Sequence, residues 1–371
     1  MRLRRGRMAP GMLAVGVAGA LAVATPALAA GRTWQAEANP GPATVLQSVF
    51  VASPAQAWAV GYRGSTRLTT VLEQWNGTSW QKARGVPLKG LPQPGPQLDT
   101  VAGTGPDDVW AAGGAPEFGP GVIEHFDGTT WTEVSSPVLN GGITSISADS
   151  PGDAWGLGSD LSGCCEPVPI VAHWNGIAWT EVKTPFSSGV AEFSTRLSSI
   201  DAISPTDVWV VAMVGRVWVF YHFDGSHWHK VLQPKGARTS QLDAVAGTSA
   251  SDVWAVGETA ARDGLIEHFN GTTWTKVANP AGQGLPLTAV TALSPTDAWA
   301  MTANASVSEH WNGTQWIAVP AVSPGQDSLT LGGQGGYPGG PALSGIAGGP
   351  LFTVANSTTK AHSVLLQQTT P

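Results

Sequence analysis

The fold is decided by two short stretches: residues 249–257 read Ser-Ala-Ser-Asp-Val-Trp-Ala-Val-Gly, and residues 267–274 read Glu-His-Phe-Asn-Gly-Thr-Thr-Trp. Both stretches recur along the chain. Successive copies of the first tryptophan are 52, 45, 54, 45 and 45 residues apart, at Trp58, Trp110, Trp155, Trp209, Trp254 and Trp299. A period of about 40–50 residues is typical of a propeller blade.

Each repeat predicts four strands. In the fifth copy, the first strand starts at Leu242, and the second covers 253–257 after a Ser-x-x-Asp turn. The third covers 265–269 and the fourth 273–277, and Asn270-Gly271 between them is typical of a type I′ hairpin. Four antiparallel strands per unit, repeated around an axis, make a β-propeller.

The two ends of the chain predict how the ring closes. Six complete units occupy residues 45 to about 320, and a seventh that starts at Leu343 lacks its fourth strand. Residues 33–40 read Thr-Trp-Gln-Ala-Glu-Ala-Asn-Pro and match Thr-Trp-Thr-Lys-Val-Ala-Asn-Pro at 273–280. We therefore expect residues 30–371 to form an all-β, seven-bladed β-propeller with four antiparallel strands per blade. The N-terminal strand would complete the last blade and remove exposed sheet edges.

The hairpins that follow the Val-Trp-Ala-Val-Gly strand resemble those of the Asp-box propellers, including photosystem II assembly-factor and sialidase-type blades. The spacing before the glycine differs from the Asp-box pattern. The units look more like secreted actinobacterial repeat proteins and are kelch-like in outline. The resemblance covers nearly the whole chain after residue 29. It implies an exported propeller and transfers no catalytic residue.

The N-terminus has the features of a secretory signal peptide. Arginines at positions 2, 4, 5 and 7 precede an apolar stretch over 12–23 and an Ala-Leu-Ala cleavage site at 27–29. The apolar stretch is too short to span a membrane. We expect residues 1–29 to be removed from a bacterial protein exported to the extracellular side, by a Sec-type route with the twin-arginine route left open.

The charge balance argues against one class of partner. The chain has 19 Lys and Arg against 26 Asp and Glu, and removal of the four leader arginines leaves 15 basic side chains and a formal charge of −11. Nucleic acid requires a basic surface, so this partner is disfavoured. No later apolar segment is long enough to span a bilayer. We expect a monomer without a membrane span.

Repeated histidines and aspartates offer a possible metal site, but their positions argue against it. The histidines of the second stretch fall on different blades, away from the axis, which favours structural hydrogen bonds over ligand binding. The aspartates of the first stretch are expected to accept turn N–H groups. No Gly-x-Ser-x-Gly or His-Glu-x-x-His motif occurs. We therefore predict no catalytic residue, metal or cofactor.

The candidate binding face is the one where connections differ between blades. The turns between first and second strands, and between third and fourth, are short and uniform, whereas the other connections vary in length. Variable loops on a rigid scaffold usually carry function. This variable-loop face would bear the following residues: Tyr62, Arg63, Glu117, Phe118, Cys164, Cys165, Arg216, Trp218, Arg262 and Tyr337.

Two of these candidates are adjacent cysteines. A bridge between Cys164 and Cys165 would be strained, because neighbouring Cα atoms are closer than disulfide geometry prefers. A vicinal disulfide, free thiols and intermolecular bonding all remain open.

Two functions follow from the sequence. The first is a secreted, non-catalytic propeller that binds or scaffolds a protein or polysaccharide through the variable-loop face. The alternative is a secreted carbohydrate-active hydrolase or lyase. A pair of carboxyl groups converging at the mouth of the central channel would favour the enzyme, whereas isolated aromatic side chains there would favour binding.

Overall fold

The computed structural model describes residues 33–38, 44–87, 95–115, 119–138, 140–162, 167–186, 195–237, 240–280, 283–321, 329–331, 342–357 and 363–369. All regular secondary structure in these residues is β-strand. None of them lies in a helix long and apolar enough to cross a membrane. The predicted signal peptide lies outside the described residues.

The strands run in chain order as follows. The first thirteen are β1 (Thr33–Ala38), β2 (Thr44–Ser53), β3 (Gln56–Arg63), β4 (Thr69–Trp75), β5 (Trp80–Lys82), β6 (Gln97–Gly105), β7 (Asp108–Gly114), β8 (Val122–Phe126), β9 (Trp131–Val134), β10 (Gly141–Ser150), β11 (Asp153–Asp160), β12 (Val168–Trp174) and β13 (Trp179–Val182). The next twelve are β14 (Arg196–Ser204), β15 (Asp207–Val214), β16 (Val217–Phe223), β17 (Trp228–Leu232), β18 (Gln241–Ser249), β19 (Asp252–Glu258), β20 (Gly264–Phe269), β21 (Trp274–Val277), β22 (Leu287–Ser294), β23 (Asp297–Thr302), β24 (Val307–Trp311) and β25 (Trp316–Pro320). The last four are β26 (Leu329–Leu331), β27 (Leu343–Gly345), β28 (Leu351–Ser357) and β29 (Ser363–Thr369).

The strands group into antiparallel units of four. Strands β2–β5, β14–β17, β18–β21 and β22–β25 each form a separate sheet in chain order. Strands β6–β9 and β10–β13 follow the same order, and the pair Gly114–Gly142 joins them into one eight-stranded sheet. We call these six groups units one to six. They confirm the predicted all-β repeat with four strands per unit.

The remaining sheet combines strands from both ends of the chain. Its order is β1-β29-β28, and both β26 and β27 pair with β28. Strand β1 runs antiparallel to β29, with Trp34 opposite Gln368. The Trp34 side chain is fully buried, and its indole N–H donates to Ser308 Oγ in unit six at 2.9 Å. The N-terminal strand is thus bonded to this sheet and to the neighbouring unit.

The first strands of the units lie side by side around the centre of the molecule. Contacts run from β2 through β6, β10, β14 and β18 to β22, and β27 contacts both β22 and β2. Hydroxyl groups link neighbouring strands: Val101 N donates to Ser48 Oγ, and Ile146 N donates to Thr100 Oγ1, both at 3.1 Å. Buried hydroxyl groups on the first strands therefore hold adjacent units together.

The tryptophans pack between units. All six second-strand copies are at most 3% exposed: Trp58, Trp110, Trp155, Trp209, Trp254 and Trp299. Trp254 of unit five meets Trp316 of unit six edge-on, with ring centroids 5.0 Å apart. Flat rings in offset or edge-to-face contact stabilise such a boundary by about 0.5–1.5 kcal/mol per pair beyond the area that they bury.

The predicted hairpin between third and fourth strands is present, but the predicted turn type is wrong. Phe269 pairs with Trp274, so the loop has four residues rather than two. Gly271 has a φ of 88°, whereas Asn270 is not in the positive-φ region that a type I′ turn also requires at this position. The Asn270 side chain instead accepts the amide N–H groups of Thr272 and Thr273, both at 3.0 Å. This local capping stabilises the longer loop.

Candidate binding face and central cavity

The repeated histidines and aspartates bind each other. In five units the His Nε2 atom lies 2.8–3.0 Å from an Asp carboxylate: His125–Asp108, His173–Asp153, His222–Asp207, His268–Asp252 and His310–Asp297. Each ring also lies against the second-strand tryptophan of its unit, with centroids 4.1–4.3 Å apart. The geometry agrees with the structural interpretation of these histidines.

The prediction of hydrogen-bond partners for the repeated aspartates was wrong. We expected turn amides to donate to the carboxylates, but their bonds are to side chains. In unit five, Asp252 accepts from His268 and from Thr248 Oγ1, and the turn amide of Ser251 donates to Ser249 Oγ at 3.4 Å. Because the serine hydroxyl caps the turn, the carboxylate is left to orient the histidine. Within the described ranges, no group of three or more His, Cys, Asp or Glu residues could hold a metal ion.

A cavity of about 580 Å³ lies among the first strands of the units. The first strands of units one to six, together with β26 and β27, contribute to its wall. Most of this wall consists of small residues, serines and threonines. Larger polar and aromatic side chains come mainly from units four and five: Arg196, Asp201, Trp218, Gln241 and Asp243. The wall is therefore chemically asymmetric although the fold repeats.

Three of these residues mark one end of the cavity. Arg196 is the first residue of β14, opposite Met213, which in turn lies opposite Trp218. Gln241 is the first residue of β18. Because β14 and β18 begin where the long inter-unit connections enter, this end belongs to the variable-loop face. Trp218 is half-buried against the apolar core between units four and five and also lines the cavity.

Asp243 lies between units four and five at a register shift of β18. Gln241 Nε2 donates to its Oδ1 at 2.7 Å, and the Ser198 hydroxyl of unit four donates to its backbone carbonyl at 2.7 Å. Burial raises the pKa of Asp243 to about 6, although the Gln241 bond and Arg262 oppose this, while Glu258 adds to it. The pKa of this carboxyl is thus closer to neutral pH than that of an exposed aspartate.

Asp201 lines the same cavity but serves as a structural link. Its Oδ2 accepts the Gly247 amide of unit five at 2.7 Å, and its Oδ1 accepts the Ser147 hydroxyl of unit three at 3.3 Å. The carboxylate therefore joins three units. Burial raises its pKa to about 6, against the opposing effect of these two hydrogen bonds.

A second polar group lies between units one and two. Asp99 is 8% exposed and accepts from Gln97 Nε2 at 2.9 Å. Burial raises the pKa of Asp99 to about 7, against the hydrogen bond from Gln97. Burial also raises the pKa of Tyr62, and the negative charge of Asp99 adds to this shift. The side chain of Arg63, next to Tyr62, donates to Thr44 Oγ1 at 2.9 Å.

Two arginines predicted for this face lie in tight turns. Arg216 is exposed and follows Gly215, whose φ is 67°, in the two-residue connection between β15 and β16. Arg262 has a φ of 64°, a conformation that non-glycine residues seldom adopt. Its guanidinium lies 3.4 Å from the Glu258 carboxylate.

The structure thus gathers some of the predicted residues and not others. Trp218 lines the cavity, Arg262 acts on the Asp243 carboxyl through the local field, and Tyr62 lies beside Asp99. Five predicted residues lie outside the described part of the chain: Glu117, Phe118, Cys164, Cys165 and Tyr337.

Sequence reasoning missed the polar residues of the first strands. A usable signal exists, because the residue after the repeated Leu or Ile is polar in each of units one to six. These residues all lie at a register shift: Gln47, Asp99, Thr144, Ser198, Asp243 and Thr288. An extra residue in one strand re-aims its side chain, which explains a polar residue inside an apolar pattern.

Comparison with solved structures shows the fold. YCF48 from Cyanidioschyzon merolae is 16% identical, with 90% of this chain and 98% of that chain covered and a TM-score of 0.61. A virginiamycin B lyase from Staphylococcus aureus with quinupristin is 12% identical, with 92% of this chain and 100% of that chain covered and a TM-score of 0.64. The RRP9 WD40 repeats are 11% identical, with 94% of this chain and 99% of that chain covered and a TM-score of 0.60. No protein-family model matches the chain, and no curated protein matches its sequence. The chain therefore has the repeat fold of the β-propeller proteins.

Proposed function

We propose that this protein is a secreted, non-catalytic propeller that binds or scaffolds a protein at the variable-loop end of its central cavity. The carrying observation is that Trp218, Arg196, Gln241 and Asp243 meet the same cavity from two adjacent units. A partly buried tryptophan beside polar side chains is typical of an anchor point for a bound chain. Polysaccharide, which would stack on the same ring, is the second ligand to be tested.

The architecture that we propose for this function has seven blades. Six units of four strands and one sheet that contains β1, β28 and β29 support this number. The pairing of β1 with β29 and the Trp34–Ser308 hydrogen bond support closure by the N-terminal strand. A closed ring would hold the cavity walls in fixed positions. Export after removal of residues 1–29, and a monomeric state, complete the proposal.

One neighbour in fold supports a protein partner over a sugar. It is YCF48 bound to a D1 peptide, at 16% identity and a TM-score of 0.64 over 95% of this chain and all of that one. The likeness carries no binding residue to this chain. It supports the use of this scaffold for holding polypeptide, and the residues at the cavity must be tested directly.

The test uses the secreted form, residues 30–371. Peptides selected from a random display library would be measured against the wild type, Trp218→Ala and Asp243→Asn, with Ile177→Ala as control. Ile177 is 84% exposed on a uniform hairpin of the opposite face. We expect at least tenfold weaker binding for Trp218→Ala, weaker binding for the isosteric Asp243→Asn, and no change for the control.

Thermal unfolding of each variant separates a binding defect from a folding defect, because Trp218 also contacts the core. Peptides that bind all four proteins equally would overturn the proposed site. A glycan array run in parallel decides between ligands: glycan binding that is lost in Trp218→Ala, without peptide binding, would replace the protein partner by a sugar.

One observation favours the alternative of a carbohydrate-active hydrolase or lyase. Asp201 and Asp243 line one cavity, and burial raises the pKa of each to about 6, which suits a general acid near neutral pH. Both oxygens of Asp201 are already hydrogen-bonded to neighbouring units, which favours a structural role. Turnover of a polysaccharide by the wild type, abolished in Asp243→Asn, would establish the enzyme instead.

A further inference from the structure

Four units bury a glutamate at the same place in their third strand. These residues are Glu73, Glu124, Glu267 and Glu309, and their exposed fractions are 4%, 0%, 0% and 0%. A carboxyl group is among the least frequently buried side chains, and an ionised one inside a protein requires a partner. Because the same position is buried in four units, the buried glutamate is a repeated property of the sequence and not a peculiarity of one unit.

The surroundings of Glu267 place it in the boundary between units four and five. Successive odd positions of a strand share one face, so Glu267 points with Leu265 and Phe269. Leu265 packs in the apolar cluster that contains Ala237 of the preceding connection. The Phe269 ring lies 4.8 Å from that of Trp209 in unit four. The glutamate is therefore enclosed between two units, under the connection that joins them.

The carboxyl of Glu267 lacks hydrogen-bond partners among the described residues, at both oxygens. Burial raises its pKa to about 8, and the charge that faces it, Lys276 on the adjacent strand β21, lowers the value only in part. A charged carboxylate without a hydrogen bond would be strongly disfavoured in such a site. In the folded protein this burial accordingly favours the neutral form of the group at pH 7.

Glu124 repeats the arrangement between units one and two. Val122 and Phe126, on the same face, pack in a cluster with Trp58 of unit one. Val86 N of the preceding connection donates weakly to Glu124 Oε2 at 3.5 Å, and Oε1 is unpartnered among the described residues. Burial raises the pKa of Glu124 to about 7, the Val86 bond opposes this, and Glu133 on β9 adds to it.

The fold does not require a carboxyl at this position. Unit three has Ala172 there, and unit four has Tyr221, whose ring meets Phe186 of the preceding connection at 4.4 Å. Both residues are buried, and each makes apolar contacts at the equivalent boundary between its own unit and the preceding one. The glutamates thus place a titratable group at a position where other units pack well with an alanine or a tyrosine.

We propose that Glu124 and Glu267 are proton-controlled latches: protonated, they close the boundaries between units one and two and between units four and five, and loss of the proton loosens them. In the folded protein the pKa of each glutamate is raised above its unfolded value. The contribution of the neutral carboxyl to the free energy of unfolding is therefore complete below about pH 4.5. It is lost progressively as pH rises, to about 7 for Glu124 and about 8 for Glu267. Alkaline conditions would weaken the cohesion of the ring.

Urea unfolding of the 30–371 chain between pH 5 and pH 9 tests the proposal. Variants are Glu267→Gln, Glu124→Gln and the double substitution, with the exposed Glu181→Gln as matched control. In the wild type, each latch should raise the unfolding equilibrium constant up to about tenfold per pH unit within its window. Each glutamine variant should lose its share of that slope, and the control should retain it. Equal slopes in all proteins would overturn the proposal.

A measurement on the unmodified protein protects the test against variants that fail to fold. The infrared carbonyl stretch of protonated carboxyl groups reports neutral glutamic acid directly. We expect this signal at pH 7, with a loss between pH 7 and 9, and a smaller amplitude in whichever glutamine variant folds. Complete ionisation of all carboxyl groups at pH 6 would overturn the proposal without recourse to a variant.

Discussion

The pair His268–Asp252 offers a direct test of how the repeat is held together. His268 Nε2 lies 2.8 Å from Asp252 Oδ1, Thr248 Oγ1 donates to Oδ2 at 2.5 Å, and the imidazole lies over Trp254 with centroids 4.1 Å apart. The substitution Asp252→Asn keeps the shape but removes the charge. It weakens both hydrogen bonds and the orientation of the imidazole against the tryptophan.

The structure sets the expected magnitude. Asp252 is 9% exposed, and hydrogen bonds to a charged group contribute about 1.5–3 kcal/mol each to stability. Because the amide keeps one acceptor, we expect Asp252→Asn to lower the free energy of unfolding by about 2 kcal/mol at pH 7. Burial acts to raise the pKa of Asp252, but the bonds from His268 and Thr248 outweigh it and hold the pKa below its usual value. The contribution is therefore present above pH 3.8 and is lost as pH falls below it.

Urea unfolding of Asp252→Asn, His268→Gln and the double variant completes a thermodynamic cycle. Unit one supplies the reference, because it has Gln56 and Gln74 at the equivalent positions and folds without the charged pair. We expect the double variant to cost clearly less than the sum of the single ones. Additive effects, or a cost below about 0.5 kcal/mol for Asp252→Asn, would refute the structural role of the pair.

Three further substitutions test other parts of the fold. Gly271→Ala should cost about 1–2 kcal/mol in urea unfolding, because its φ is 88° and a Cβ would approach Ser251 to 2.9 Å, whereas Gly236→Ala, with open space around it, should be nearly neutral. Asp201→Ala should cost about 1–3 kcal/mol by leaving the Gly247 amide unpaired, and an unchanged midpoint would show that the link between units is unimportant. Deletion of residues 30–40 should expose the edge of β29 and cause self-association in analytical ultracentrifugation, and a stable monomer would contradict closure by β1.

The regular part of the fold follows from the sequence because the same local pattern is repeated six times. The second strand predicted over 253–257 is Asp252–Glu258, and the third, predicted over 265–269, is Gly264–Phe269. The turn residues at fixed offsets on either side of these strands set their limits. A strand limit that is ambiguous in one unit can be predicted from the equivalent residues of the other units.

The chemistry of the acidic residues could not be predicted in this way. Whether Asp252 accepts from a turn amide or from His268 depends on the spatial relation between two strands, although both residues recur in five of the six units. The positions of Asp243 and Asp99 depend on register shifts in β18 and β6, which a run of alternating residues does not reveal. Neither can the sequence show that Trp218 and Gln241, from different units, border the same cavity.

These assignments change what the negative charge of the chain says about its partner. Acidic side chains are occupied in His–Asp pairs, in links such as Asp201, and in boundaries where Glu267 is neutral. Part of the formal negative charge is therefore buried, neutral or held in local pairs, which reduces the attraction of a basic ligand over a distance. Long-range steering is screened over about 8 Å at physiological ionic strength, whereas contacts with a tryptophan are hardly affected by salt. A partner held by Trp218 should consequently bind with similar affinity at low and at high salt, and a steep loss of binding with salt would show that recognition rests on charge instead.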